Sequence, residues 1–360
     1  MKKILSLSLV LLASVGAAGL TSCGAKTYEI ALITDVGNID DKSFNEGAWN
    51  GVKNYAEANS ISYAYYRPTE DSKAARVTKI GDAVAKGAKI IVCPGYLFEE
   101  AIYDVQEEYP DVAFLLLDGE PHNADYTTYH TADNVHNILY REEQAGYLAG
   151  YAAVQEGYTK LGFLGGMSVP AVVRYGYGYV QGAEAAAIDM ELADGAITMK
   201  YNYAGGFGPT DDIKTKMDGW YTAGTEVVFS CGGGIYLSVT AAAQQASAKV
   251  IGVDVDQYAE SPTIITSAIK GLTSSVEQSL GEFYDNEKAW PVELAGVTST
   301  LGAAEDGVGL ATAEGSWRLE NYTVAEYETL LADIADGTIV VDNSIAAVPV
   351  TAKVTVNYSA

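Results

Sequence analysis

The sequence predicts an α/β fold of two lobes, each a mostly parallel sheet flanked by helices. Three observations predict it. Short apolar, β-rich runs alternate with segments of helical period, which is how a parallel sheet with crossover helices reads. The runs are continuously apolar, as strands covered on both faces must be. The chain of 360 residues is also long for one core and suited to two.

The strand runs, in order, are 30–34, 90–92, 113–117, 161–164, 197–201, 227–229, 250–253 and 264–267. Between them Phe44, Ala48, Val52 and Tyr55 keep a helical spacing, as do Val77, Ile80 and Val84, and Leu272, Val276 and Leu280. Glycine follows several strands, at Gly95, Gly119, Gly165, Gly232 and nearby, where open α/β sheets bind ligands. Eight strands suggest two sheets. We expect a first lobe from 28–145 with about 271–322, and a second from 146–270 with about 323–360, joined by a helix crossing near 145–157. The tail at 347–358 returns to an alternating strand pattern.

The N-terminus is an export signal by pattern. Lys2 and Lys3 precede an apolar run that ends at Leu20-Thr21-Ser22-Cys23. That run is shorter than the roughly 20 residues a spanning helix needs, so 1–22 reads as a removed signal peptide. Cys93 and Cys231 each close an apolar run far apart in sequence, and read as buried free thiols, with a bridge left open by sequence alone. The formal charge of −25 argues against a nucleic-acid partner, whose phosphates would be repelled.

Directly after the first run stands Thr34-Asp35-Val36-Gly37-Asn38-Ile39-Asp40-Asp41-Lys42-Ser43-Phe44-Asn45-Glu46-Gly47, ahead of a helix. Asp41 or Ser43 suits an N-cap. Asp35, Phe44 and Asn45 offer an acceptor, an aromatic face and an amide at the mouth of a cleft; Phe44 also suits a core staple. Enzyme signals are absent: there is no Gly-x-Ser-x-Gly elbow and no phosphate-binding P-loop. His122, His130 and His136 fall in one polar stretch without zinc-site spacing, so no metal or cofactor is expected. Gly176, Gly178 and Gly182 lie within a helical stretch, which rules against a dinucleotide fingerprint.

The stretch TDVGNIDDKSFNEGAWNG resembles the loop DxGxxDDKSFNxxxWxG of the basic-membrane-protein family of substrate-binding lipoproteins, which includes purine nucleoside receptors. Further matches follow in order: LLLD at 115–118, REEQAGYLAG at 141–150, the pattern GxxGGxxxPxVxxxxxGFxxG over 162–182, GVDVDQ at 252–257 and TSAIK at 266–270. The resemblance implies a two-lobed periplasmic-binding-protein-like (type I) fold. It also implies a nucleoside as ligand, an ABC transporter permease as partner, and Cys23 as the lipid-carrying residue of a cell-membrane-anchored, extracytoplasmic protein, with 23–27 as linker. In nucleoside-binding members two phenylalanines clamp the base, and Phe44 and Phe207 fall at those positions. Asp118, Asp254 and Lys270 are implied in the pocket, the last two reaching ribose hydroxyls, with Asp35 or Asp118 at the base edge. Gly233 and Gly234 offer backbone N–H groups or form a plain turn.

Asn38, Pro94-Gly95-Tyr96 and Ile235-Tyr236-Leu237 depart from the usual family residues and bear on the ligand's identity. Riboflavin, a sugar or another small polar ligand is the alternative cargo, and a surface nucleoside-processing enzyme the alternative class.

Overall fold

A computed structural model describes residues 26–359. The signal peptide and Cys23 lie outside the described residues. The first lobe begins with β1 (Ile30–Ile33), α1 (Phe44–Asn59), β2 (Tyr63–Tyr66), α2 (Lys73–Ala85), β3 (Ile90–Pro94), α3 (Glu99–Val105), β4 (Ala113–Leu117) and β5 (Val135–Tyr140). The second contains α4 (Glu142–Gln155), β6 (Lys160–Gly165), α5 (Pro170–Asp189), β7 (Ile197–Tyr203), α6 (Asp211–Thr222), β8 (Val227–Cys231), α7 (Tyr236–Ala246), β9 (Lys249–Asp254) and β10 (Ile264–Lys270). The chain then adds α8 (Leu272–Asp285) and β11 (Thr298–Leu301) to the first lobe. It ends with β12 (Val308–Leu310), α9 (Val324–Ala335) and β13 (Val354–Asn357) on the second.

The first sheet has the order β11-β5-β4-β3-β1-β2 and the second β12-β10-β9-β8-β6-β7-β13. Every pairing is parallel except β10 with β12. Strands β1, β3, β4 and β8 are buried at every position, because helices cover both faces. All eight apolar runs are strands.

Two expected boundaries shift. Helix α4 packs on α5 and β10, so the first crossing falls at Arg141, before the expected 145/146. Strand β12 pairs with β10, so the last crossing lies between Leu301 and Val308 rather than near 322. His136 does not share a loop with His122 and His130. It lies in β5, buried, with Nδ1 3.1 and 3.0 Å from the carbonyls of Leu294 and Val297.

Helices α4 and α5 touch backbone to backbone through glycines spaced four apart on each. A Cβ at Gly178 would fall 2.0 Å from the Glu143 carbonyl, and one at Gly182 1.9 Å from that of Tyr147. From α4, Gly146 and Gly150 approach the Tyr175 and Tyr179 carbonyls as closely. This seam brings the first turn of α4 against the first turns of α5, where the cleft opens.

Candidate ligand-binding site

Between the lobes, at the C-terminal ends of the strands, lies a cavity of about 870 Å³. Asp35, Phe44, Asn45, Asp118, Phe207, Gly233, Asp254 and Lys270 all line it. The structure therefore gathers the eight residues expected to meet a ligand into one space.

Asp35 follows β1. Its Oδ1 accepts from the Gly37 N–H at 2.6 Å and from Asn45 Nδ2 at 2.8 Å, and burial pushes its carboxyl up to about 6. Asn45 is placed differently from expectation. It is 2% exposed, its two amide hydrogens go to Asp35 and Asp41, and its Oδ1 accepts the Asp35 N–H at 3.2 Å. With its amide fully engaged, Asn45 positions the two aspartates rather than presenting a donor to the cavity.

The start of α1 is capped by Asp41, whose carboxylate accepts the N–H groups of Ser43, Asn45 and Glu46 at 2.9, 3.1 and 3.0 Å. Ser43 occupies the cap position but turns its hydroxyl across the cleft to Asp254. Gln257 makes a second interlobe bond, Nε2 to the Lys42 carbonyl at 2.6 Å. Phe44, next along, presents its ring to the cavity from the first lobe.

Asp118 and Asp254 end strands β4 and β9 in left-handed backbone, with φ of 59° and 65°. Such conformations are costly for residues other than glycine and collect at functional sites. They turn both carboxyl groups toward Lys270, at the end of β10. Lys270 Nζ lies 2.6 Å from Asp118 Oδ2 and 2.9 Å from Glu142 Oε1. It sits 5.2, 5.0 and 5.5 Å from the ring centres of Phe44, Tyr140 and Tyr175. Burial disfavours its charge, but Asp118, Glu142 and Asp254 together hold its pKa above the usual lysine range. Burial pushes the Asp118 carboxyl up to about 7 against the pull of Lys270. Its Oδ1 has no hydrogen-bond partner among the described residues.

Glu142 and Arg174 complete the charge cluster, Arg174 Nε to Glu142 Oε2 at 2.6 Å. Lys270 and Arg174 hold the Glu142 carboxyl below its ordinary value despite burial. Sequence reasoning assigned neither residue a role. Both sit near the α4–α5 seam, and the paired glycines at 146, 150, 178 and 182 were the signal available.

Phe207 enters from the second lobe, after β7. Its ring rests on a glycine floor: a Cβ at Gly166 would fall 2.3 Å from it, and one at Gly232 2.9 Å. The Gly234 N–H donates to the Phe207 carbonyl at 2.8 Å, so it is not free for a ligand, while Gly233, with φ of 52°, packs against Phe207. Phe44 and Phe207 thus face one cavity from opposite lobes.

The mouth is aromatic. Tyr126 and Tyr129 sit in a turn held by buried His122, which stacks on Tyr126 at 4.1 Å and meets Glu99 Oε2 at 3.1 Å. Cys93 and Cys231 are free and buried in separate lobes. Among the described residues no cluster of His, Cys, Asp or Glu is arranged to hold a metal ion, and no helix is long and apolar enough to cross a membrane.

The family model described as "ABC transporter substrate-binding protein PnrA-like" matches residues 29–343. The chain belongs to that family. Its members are substrate-binding components of ABC transporters and act outside the cytoplasm. Among relatives, this PnrA-like chain is 28% identical over 278 residues to the "ABC transporter nucleoside-binding protein BmpA" of Lactococcus lactis, covering 71% of this chain and 74% of that one. It is 28% identical over 310 residues to "Basic membrane protein B" of Borreliella burgdorferi, covering 82% and 86%. Among solved structures, an ABC transporter solute-binding protein from Aeropyrum pernix superposes with a TM-score of 0.72 at 23% identity, covering 88% of this chain and 94% of that one. A second, from Conexibacter woesei, superposes with a TM-score of 0.67 at 20% identity, covering 88% and 99%. At those identities the structures share the fold.

Proposed function

We propose that this PnrA-like protein captures a nucleoside, a purine nucleoside first of all, and delivers it to an ABC transporter permease. The observation that carries the reading is the pair Phe44 and Phe207, one ring from each lobe, facing a single cavity. A flat heterocycle held between them gains about 1–3 kcal/mol per stacked ring. Lobe closure completes the second contact, so occupancy and closure are coupled.

In this reading Asp254 and Lys270 take the ribose hydroxyls, since one carboxylate accepts from two vicinal hydroxyls. Asp35 or Asp118 accepts from the base, and the unpartnered Asp118 Oδ1 supports the latter. Cys23 carries the lipid, each buried CH₂ contributing about 0.8 kcal/mol toward membrane anchoring. The chain catalyses no reaction of its own.

Thermal unfolding in the presence of a nucleoside panel tests the cargo. A true ligand at a hundred times its Kd adds about 2.7 kcal/mol of stability. Stabilisation by riboflavin or a sugar and by no nucleoside would sink the reading. Release of free base from inosine or adenosine on incubation would overturn the non-enzymatic role.

A further inference from the structure

We propose that Tyr126 and Tyr129 of the first lobe and Leu237 of the second form a clasp at the cavity mouth, which meets as the lobes close and sets how slowly a captured ligand leaves. The inference takes from the nucleoside reading only the probe that tests it. Its three residues lie outside the contacts proposed for base and ribose.

The first observation is exposure. An apolar patch left in water beside a cleft marks a surface that something covers. Tyr126 is 62% exposed, Tyr129 57% and Leu237 50%, and all three line the cavity. The tyrosines lie between β4 and β5, and Leu237 in the first turn of α7, so they stand on opposite lobes. Tyr96 behind the tyrosines and Pro209 near Leu237 extend the apolar lining on each side.

The second is that the turn carrying the tyrosines is firmly built. His122 and Tyr129 form a β-bridge across it, and Asn123 Oδ1 accepts the N–H groups of Thr127 and Thr128 at 3.0 Å each. Glu99 Oε1 accepts the Glu120 N–H at 3.0 Å where the turn begins. Where it ends, Gln106 donates Nε2 to the His130 carbonyl at 3.0 Å and accepts the Ala132 N–H at 2.9 Å. Tyr126, at the tip, is held at φ of 59°, a conformation that is uncommon for a bulky residue. Rings fixed in place beforehand lose little entropy when they are covered.

The third is where the lobes already touch. At the floor of the cleft Lys270 meets Asp118, Ser43 meets Asp254, and Gln257 meets the Lys42 carbonyl. Among the described residues no hydrogen bond or ion pair joins 120–131 to the second lobe. Rotation about a joined floor moves the rim furthest, so closure brings new surfaces together there. The cavity of about 870 Å³ leaves the rim room to move in, since small-ligand pockets run from roughly 300 to 1,000 Å³.

Stopped-flow binding and displacement of adenosine, guanosine and inosine on the purified chain tests this. Tyr126→Asn, a residue that tolerates left-handed backbone, combined with Tyr129→Ser should raise koff at least about tenfold and leave kon within about threefold. Leu237→Ser alone should raise koff about threefold or more. Added to the two tyrosine changes, Leu237→Ser should contribute less than about twofold, because its partners are gone. Tyr126→Phe and Tyr129→Phe, which keep the rings, should stay within about twofold of the parent. Unfolding of the ligand-free variants should match the parent, since the three side chains face water there. Fully multiplicative effects in the triple variant would overturn the clasp in favour of separate contacts with the nucleoside, and an unchanged koff would overturn it outright. Both results leave the cargo reading standing. If no nucleoside binds, the cargo reading fails, and the same displacement with riboflavin as probe decides the clasp.

Discussion

Lys270, at the tip of the second lobe's β10, reaches across the cleft floor to Asp118 at the tip of the first lobe's β4, Nζ to Oδ2 at 2.6 Å. The two residues are 152 positions apart, and their ion pair ties the lobes together where a ligand would lie. Glu142 joins from below and three aromatic rings surround the ammonium. The lysine thus neutralises a buried acidic cluster that would otherwise be untenable.

Removing that charge should be costly. Lys270→Met leaves Asp118, Glu142 and Asp254 facing one another in a buried site, and stability should fall by about 3–5 kcal/mol. Urea unfolding of the ligand-free protein measures it. A loss below about 1 kcal/mol would mean that the cluster is solvated rather than buried.

Glu143 governs a pH dependence of its own. It is 1% exposed and neither carboxyl oxygen has a hydrogen-bond partner among the described residues. Burial, with the Glu142 charge next door, pushes its pKa from 4.5 to about 7. The folded chain therefore holds this proton where the unfolded chain releases it. Its contribution to stability is complete below 4.5 and is lost as pH rises through about 7. Glu143→Gln should flatten that decline and raise stability by about 1–3 kcal/mol above neutrality. Unfolding free energies of both proteins across the range check it, and parallel profiles would refute it.

Most strands covered on both faces were legible in the sequence because burial on two sides leaves continuous apolar runs, as in 30–33 and 113–117; β5, almost as buried, was missed because His136 and Asn137 interrupt its apolar run. Strands β2 and β11, each half-buried near a sheet edge, carry mixed sequences and gave no such run. The three-residue β12 exists only because β10 offers it an edge. That the expected residues would line one cavity was readable from family motifs. Their division of labour was not: whether Ser43 or Asp41 caps α1 is decided by Asp254, which takes the serine hydroxyl from 211 residues away. Asn45 likewise could be recognised as a positioning group only once both its neighbours were placed.

The glycine seam of α4 and α5 should tolerate no side chain. Gly182→Ala puts a methyl group 1.9 Å from the Tyr147 carbonyl, so the helices must separate. We expect a loss of about 2–3 kcal/mol. Gly219→Ala, in the last turn of α6 with nothing within 4 Å of the added carbon, should instead gain several tenths of a kcal/mol from helix propensity. The opposite signs separate packing from backbone preference, and thermal unfolding of the two variants reads them.

The two phenylalanines give the sharpest contrast between fold and binding. Phe44 and Phe207 are half-buried at the cavity wall, so truncation removes a ring from the ligand's side while the strands and helices behind keep their contacts. Phe44→Ala and Phe207→Ala should each weaken nucleoside binding by about 1–3 kcal/mol, roughly five- to 150-fold, with little change in unfolding. Phe44→Tyr, which keeps the aromatic face, should stay within about threefold of the parent. Because one ring comes from each lobe and both contacts require closure, the double variant should lose less than the sum of the two single losses. Titration calorimetry on the four variants decides it: unchanged affinity in Phe207→Ala would mean that the second lobe grips its ligand without that ring.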